Sequence, residues 1–219
     1  MKRTIGLVLC LALFFAISED TWAATTVLLG KSVNSYGRID YNGGKDAGNI
    51  HDSMVGLTYA KKVKLAITNQ FGDFSSNFGK EHFEFLDVQA GYPIVNDQSG
   101  ILYLTLTAIK YSGFLNHTVP YISKHEADGG LLGFEMIGFP NDRVQFEFGF
   151  HYAVGGSYRI DFYHSNLEMT LLKLKIQFRL TDNLGLVVFS QLRDFDSQSD
   201  TLNVSEKNNT TTLGVVYRL

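Results

Sequence analysis

Thr210-Thr-Thr-Leu-Gly-Val-Val-Tyr-Arg-Leu219 is the stretch from which the fold can be read. Leu213, Val215, Tyr217 and Leu219 alternate with Thr212, Gly214, Val216 and Arg218. Successive side chains on a strand point to opposite faces, so this segment predicts a strand with one apolar and one mixed face. The same period recurs upstream. Val144, Phe146, Phe148, Phe150 and Tyr152 alternate without a break against Gln145, Glu147, Gly149, His151 and Ala153. Leu172, Leu174, Ile176 and Phe178 alternate with Lys173, Lys175, Gln177 and Arg179, and Leu102, Leu104, Leu106 and Ala108 share a face in their turn. No helical period, sequence repeat or domain-splitting linker interrupts this all-β pattern.

The connections have a rhythm of their own. Short turns are predicted at 61–62, 96–100, 140–142 and 181–183, and long loops at 42–51, 71–80, 112–128, 155–166 and 194–209. Long and short alternate strictly. Five loops and four turns join ten antiparallel strands, with eight as the runner-up should 25–41 not form a full strand. A transmembrane β-barrel with both termini on the periplasmic side has short turns there and long loops outside. About ten residues per strand at roughly 3.3 Å each, tilted by about 40°, span roughly the 25 Å apolar band of such barrels. A soluble barrel also alternates, because its interior is apolar. The asymmetric connections favour the membrane. So do Tyr59, Tyr92, Phe178 and Tyr217, each ending a strand in phase with its apolar face, as a girdle at the membrane interface would. Phe139 holds the equivalent place on its strand but is out of phase with Leu132, Phe134 and Met136.

The start of the chain agrees. Lys2 and Arg3 precede an apolar run over 5–17, followed by Thr21-Trp22-Ala23. This is the pattern of a secretory signal peptide over 1–23, leaving 24–219 as a single barrel domain. Its removal would take away Cys10, the chain's one cysteine, and with it any disulfide or thiolate chemistry. The formal net charge of −3 implies neither nucleic acid nor an anionic surface as partner. No apolar run beyond 5–17 approaches helix-spanning length, so a membrane would have to be crossed by strands.

A final strand that ends on an aromatic-x-apolar triplet, here Tyr217-Arg-Leu219, resembles the closing strand of bacterial outer-membrane β-barrels, although the usual terminal residue there is Phe. The whole pattern from 24 to 219 resembles the small outer-membrane barrel proteins, porin-like in broad class. The resemblance implies an outer-membrane location, contact with outer-membrane lipids, a barrel-insertion machinery that reads the last strand, and a monomer. It carries over no functional residue and no cofactor. Small solutes or surface ligands are the remaining partners to expect.

If the apolar faces touch lipid, the alternate faces line the lumen. That predicts a lumen charge network of Asp87, Glu135, Glu147, Lys173, Lys175, Arg179, Arg193 and Arg218. Folding the hairpin symmetrically about Asn141 would set Glu135 opposite Glu147, with Lys173 and Lys175 supplying the compensating cation. A narrow barrel filled by its own side chains is the simplest reading, and a charged constriction selecting ions is the alternative. Catalysis is not the expected role. His51-Asp52-Ser53 and Tyr163-His164-Ser165-Asn166 stand at predicted loop–strand junctions, but neither supplies a complete nucleophile, base and orienting carboxylate. His117, His125, Glu126 and Asp128 share the third loop without a recognised ligand spacing, so no metal is expected. The expected role is a structural or porin-like outer-membrane barrel with long extracellular loops. A lipid-modifying enzyme or a soluble exported lipocalin-like binding barrel are the alternatives.

Overall fold

The computed structural model describes residues 24–41, 44–60, 63–76, 79–97, 100–117, 122–160, 163–198 and 203–219. The expected leader 1–23 and the expected turn at Lys61 and Lys62 lie outside these. All regular structure is antiparallel strand: β1 (Ala24–Ser32), β2 (Tyr36–Tyr41), β3 (Gly44–Ala60), β4 (Lys64–Ser76), β5 (Gly79–Asn96), β6 (Gly100–His117), β7 (Ile122–Asn141), β8 (Val144–Ile160), β9 (Tyr163–Asn166), β10 (Glu168–Arg179), β11 (Leu184–Gln198) and β12 (Asn203–Arg218). Consecutive strands pair throughout, except that β1 and β2 each pair with both β3 and β12, and β9 and β10 each pair with β8. The sheet closes on itself and leaves no edge to cover.

Twelve segments make ten strands, because two strands are interrupted. β2 continues both pairings of β1, so the two are one strand with a bulge between them. Ser32 faces Thr212 and Tyr36 faces Asn209, so four residues along this strand oppose three along β12. The bulge is tied down: the Val33 amide donates to the Thr211 carbonyl at 2.9 Å, and the Thr211 amide donates to Ser35 Oγ at 3.1 Å. β9 and β10 likewise both pair with β8 across Leu167. The stretch 25–41 therefore pairs along its length, and the strand count is ten.

The strands run much further than the expected loops allow. β3 begins at Gly44, β4 reaches Ser76, and β11 reaches Gln198. Most of what reads as loop at 42–51, 71–80, 112–128, 155–166 and 194–209 is paired strand. The physical reason is an inversion of polarity part-way along each strand. On β5, Leu86, Val88, Ala90 and Tyr92 point outward, whereas Phe83 and Phe85 point inward and are nearly fully buried. On β6 the outward Leu104 and Leu106 give way to the inward Ile109 and Tyr111. On β10 the inward Met169 and Leu171 precede the outward Leu172 and Leu174. Near the termini the barrel is apolar outside and polar inside. Beyond the inversion it is built like a water-soluble barrel, with an apolar core and an outer face of charged residues such as Glu84, Lys110 and Asp128. The 18 residues of β5 give about 60 Å of strand and, at about 40° of tilt, roughly 45 Å of height, against an apolar band about 25 Å tall. The surplus stands above the membrane.

The β7–β8 hairpin is not symmetric about Asn141. The turn lies at Asp142 and Arg143, Asn141 faces Val144, and the register slips by one residue between Asn141 and Gly138. Glu147 consequently faces Ile137, and Glu135 faces Gly149, two residues from the expected pairing. Phe139 stays in the inward phase and lines the mouth of the barrel beside Gln145 and Gln177. A second slip between Gly130 and Leu131 leaves Val154 as the extra residue of β8, and close by, Gly156 has a φ of 143° that side chains other than glycine's rarely adopt.

Candidate functional site

The lumen is the candidate site, and it is built in layers. Nearest the termini, Lys64 from the start of β4 donates to the carboxylates of both Glu135 and Glu147. Lys175 Nζ bonds the second oxygen of Glu147 at 2.8 Å, and Lys173 Nζ bonds Asp87 at 2.9 Å. Gln89 donates to Glu135 at 2.6 Å and lies 3.0 Å from the ring of His151. Lys64, Asp87, Gln89, Glu135 and His151 are all buried. Three lysines thus meet three carboxylates, so the layer is formally neutral. This balance matters, because a buried charge left unpaired is costly while a fully bonded one is tolerated. Gly149 keeps room for the layer: a Cβ there would lie 3.0 Å from the His151 ring and 3.5 Å from Glu135 Cγ.

Of the expected network, Asp87, Glu135, Glu147, Lys173 and Lys175 are brought together here. The cation between the two glutamates is Lys64, whereas Lys173 serves Asp87. Lys64 was readable: it occupies the inward phase opposite Val63 and Leu65, two places beyond the expected turn. Arg193 is buried in the lumen but outside the ion pairs. Its guanidinium lies 4.5 Å from the Phe85 ring centroid and 5.6 Å from that of Phe83, and none of its nitrogens has a hydrogen-bond partner among the described residues. It spans the boundary between the charged layer and the apolar core. Arg179 and Arg218 do not reach the network and stand exposed at the mouth beside the termini.

Beyond Arg193 the lumen is filled by the side chains of Phe74, Phe83, Phe85, Ile109, Leu131, Met169, Leu171 and Phe195, among others. Set into this core, the Tyr111 hydroxyl lies 2.9 Å from both Glu81 and Glu206, and Tyr158 and Asn208 donate to Glu206 at 3.1 Å and 2.6 Å. Glu206 escapes a sequence reading because it lies in the expected loop 194–209, and Glu81 because it sits between the expected loop 71–80 and the strand that follows. Two small cavities lie in the lumen among the described residues, of about 30 Å³ beside Lys173 and Lys175 and about 10 Å³ beside Tyr111.

The other expected groupings are pulled apart by strand geometry. His51 is exposed on the outer face of β3 whereas Asp52 faces the lumen and is 2% exposed, so this carboxylate cannot orient that ring. His164, on β9, faces Arg159 in the neighbouring strand. His125 is buried and points opposite to Glu126, which pairs with Lys124 at 2.6 Å. No cluster of three or more His, Cys, Asp or Glu able to hold a metal occurs among the described residues. On the outer face above the membrane the charges pair across and along strands. Burial works against ionisation of Asp73, but hydrogen bonds from Lys80 and His82 outweigh it and hold this carboxyl below its ordinary range. The hydrogen bond from Lys124 lowers Glu126, and that to Asp194 raises Lys207. The aromatics Tyr92, Phe178 and Tyr217 are 67%, 45% and 49% exposed on the outer face at the terminal end, with Tyr59 less so.

No protein-family model matches the chain, and no curated protein matches it by sequence. Among solved structures it is similar to the outer membrane protease OmpT from Escherichia coli, with a TM-score of 0.64 and 8% identity over 92% of this chain and 98% of that one. The fold is that of a bacterial outer-membrane β-barrel. An outer membrane channel from Pseudomonas putida F1 is a further likeness, with a TM-score of 0.53 and 14% identity over 90% of this chain and 96% of that one. With an apolar belt outside and a closed ten-stranded sheet, this outer-membrane barrel meets lipid through Leu106, Leu132, Leu174, Leu186 and Val215 and their neighbours. Identities this low carry architecture alone, and one relative being a protease and the other a channel transfers neither activity.

Proposed function

We propose that this protein is a filled, non-conducting outer-membrane barrel that acts as a structural anchor and carries a rigid β-stalk above the membrane. The observation that supports this reading is the double plug of the lumen. A neutral, hydrogen-bonded layer around Lys64, Glu135 and Glu147 is followed by the apolar core around Phe85, Leu171 and Phe195. An ion crossing it would have to part buried ion pairs and then enter hydrocarbon-like packing, both strongly unfavourable. The five long hairpins, paired almost to their tips, then serve as a surface for ligands outside the cell. Residues 1–23 act as the signal peptide, Tyr59, Tyr92, Phe178 and Tyr217 form the periplasmic girdle, and β12 is the strand read by the insertion machinery.

Planar-bilayer recording on the refolded full-length protein tests this. The expected result is no stable conductance step, in the native chain or after Glu147→Lys. Steady ohmic steps whose ion selectivity reverses in Glu147→Lys would instead establish the charged layer as a selectivity filter.

A further inference from the structure

The mouth beside the termini differs from the rest of the lumen. Three arginines converge there from three parts of the chain: Arg143 from the β7–β8 turn, Arg179 from the end of β10 and Arg218 from the end of β12. A cavity of about 420 Å³ opens between Arg143 and Arg179, and one of about 60 Å³ continues it to Arg218. Gln145 and Gln177, which face each other across β8 and β10, line both. Among the described residues these guanidiniums enter no ion pair, while the six charged side chains of the layer just below are all paired. The nearby acids, Asp142 and Asp182, sit at the two turns and bond none of the three.

The backbone under the arginines is held in place. Asn141 Oδ1 accepts from the amides of Arg143 and Val144, both at 2.9 Å, and the Arg179 amide donates to the Arg143 carbonyl at 2.7 Å. On the other side the Arg218 amide donates to the Asn183 carbonyl at 2.7 Å, and Asn183 Nδ2 returns a bond to the Arg218 carbonyl at 3.0 Å. The frame therefore presents Arg143 and Arg179 to the larger cavity and Arg179 and Arg218 to the smaller one, with the amides of Gln145 and Gln177 shared by both. Guanidinium is the group best matched to bidentate oxyanions, and a cavity of this size takes a small ligand.

We propose that this vestibule is a binding site for a phosphate-type oxyanion, with Arg179 at its centre and Arg143 and Arg218 at its flanks. The rim lies at the level of the outward-facing Phe178 and Tyr217, the edge of the apolar belt, so the phosphate comes either from a lipid headgroup or from a soluble phosphate ester.

The test uses the full-length refolded protein in an uncharged detergent, titrated calorimetrically with pyrophosphate. In parallel, protein reconstituted in phosphatidylcholine vesicles doped with phosphatidylglycerol is examined by native mass spectrometry for retained anionic lipid. Arg179→Gln, the double variant Arg179→Gln/Arg218→Gln, and Arg159→Gln at the far end complete the set, each checked for heat-modifiable gel migration. Binding of one probe by the native chain is expected, weakened about tenfold or more in the double variant, partly in Arg179→Gln, and not at all in Arg159→Gln. Pyrophosphate binding identifies a soluble source; retained phosphatidylglycerol with no pyrophosphate binding identifies a headgroup. Should the double variant fail to fold, Arg179→Gln alone decides. Binding of neither probe by the native chain, or equal binding by folded arginine variants, overturns the proposal.

Discussion

The lumen holds two regions that solve one problem, filling a barrel, by opposite chemistry. Near the termini Lys64, Lys173 and Lys175 are matched against Asp87, Glu135 and Glu147. Towards the far end Phe74, Phe85, Leu171 and Phe195 pack as they would in a soluble protein. The difference follows from what lies outside each. Where lipid surrounds the barrel, the apolar side chains are used on the outer face and the polar ones are left to the lumen. Where water surrounds it, the hydrophobic effect drives the apolar side chains inward. Arg193, stacked on Phe85 and Phe83, marks the changeover.

The sharpest way to break this contrast is to unbalance the charged layer. Lys64→Met leaves Glu135 and Glu147 with too few cations, and a loss of about 3–5 kcal/mol is expected, measured as the urea midpoint of folding in detergent. Adding Glu135→Gln should recover a substantial part of it; a double variant no better than Lys64→Met would mean that the pairing contributes nothing. Phe85→Ala is expected to cost about 3–5 kcal/mol through a cavity in the apolar half. No charge-neutralising second change should rescue it. Recovery by Glu81→Gln would show that the two halves are not chemically distinct.

The inversion itself is tested on the outer face. Leu106→Arg places a charge in the lipid belt and should destabilise by about 2–4 kcal/mol. Glu168→Arg, outward and exposed on the watery side of the inversion, should stay within about 0.5 kcal/mol of the native chain. Similar losses at both positions would place the membrane boundary elsewhere. The smallest effect belongs to Asp73. Its pKa is depressed in the folded protein, so its contribution is fully present above the unfolded value and fades as pH falls through the folded one. Asp73→Asn should cost under about 1 kcal/mol at neutral pH and should remove part of the acid sensitivity of a thermal melt below about pH 4.

Much of the belt was legible because period two with one apolar face survives every local variation. Val144 to Tyr152 shows it without interruption, and the inward phase named five of the six side chains in the charged layer. The far half was not legible in the same way. There the apolar residues change face within one strand, as at Phe85 and Leu86 on β5, and charged residues occupy the other face. A reader following one phase loses it in stretches such as 71–80, where Phe74 turns inward and the charged Asp73 outward, and so meets a loop. Register was equally out of reach: whether Glu147 meets Glu135 or Ile137 depends on the turn lying at Asp142 and Arg143 and not at Asn141, and on a one-residue slip between Gly138 and Asn141, neither of which composition signals.

The sequence by itself determined the architecture. Alternation and the rhythm of short turns against long connections point to an antiparallel barrel with an apolar exterior, because a closed sheet is the one way for such strands to satisfy their backbone in lipid; that the strands number ten and not eight follows only from the pairing of 25–41 with β3 and β12. The tertiary structure decided what fills the lumen. Which lysine meets which carboxylate, where the stalk leaves the membrane and which arginines stay unpaired at the mouth depend on shear, bulges and facing registers. These relate residues far apart in the chain, such as Lys64 and Glu147, and exist only once the sheet has closed.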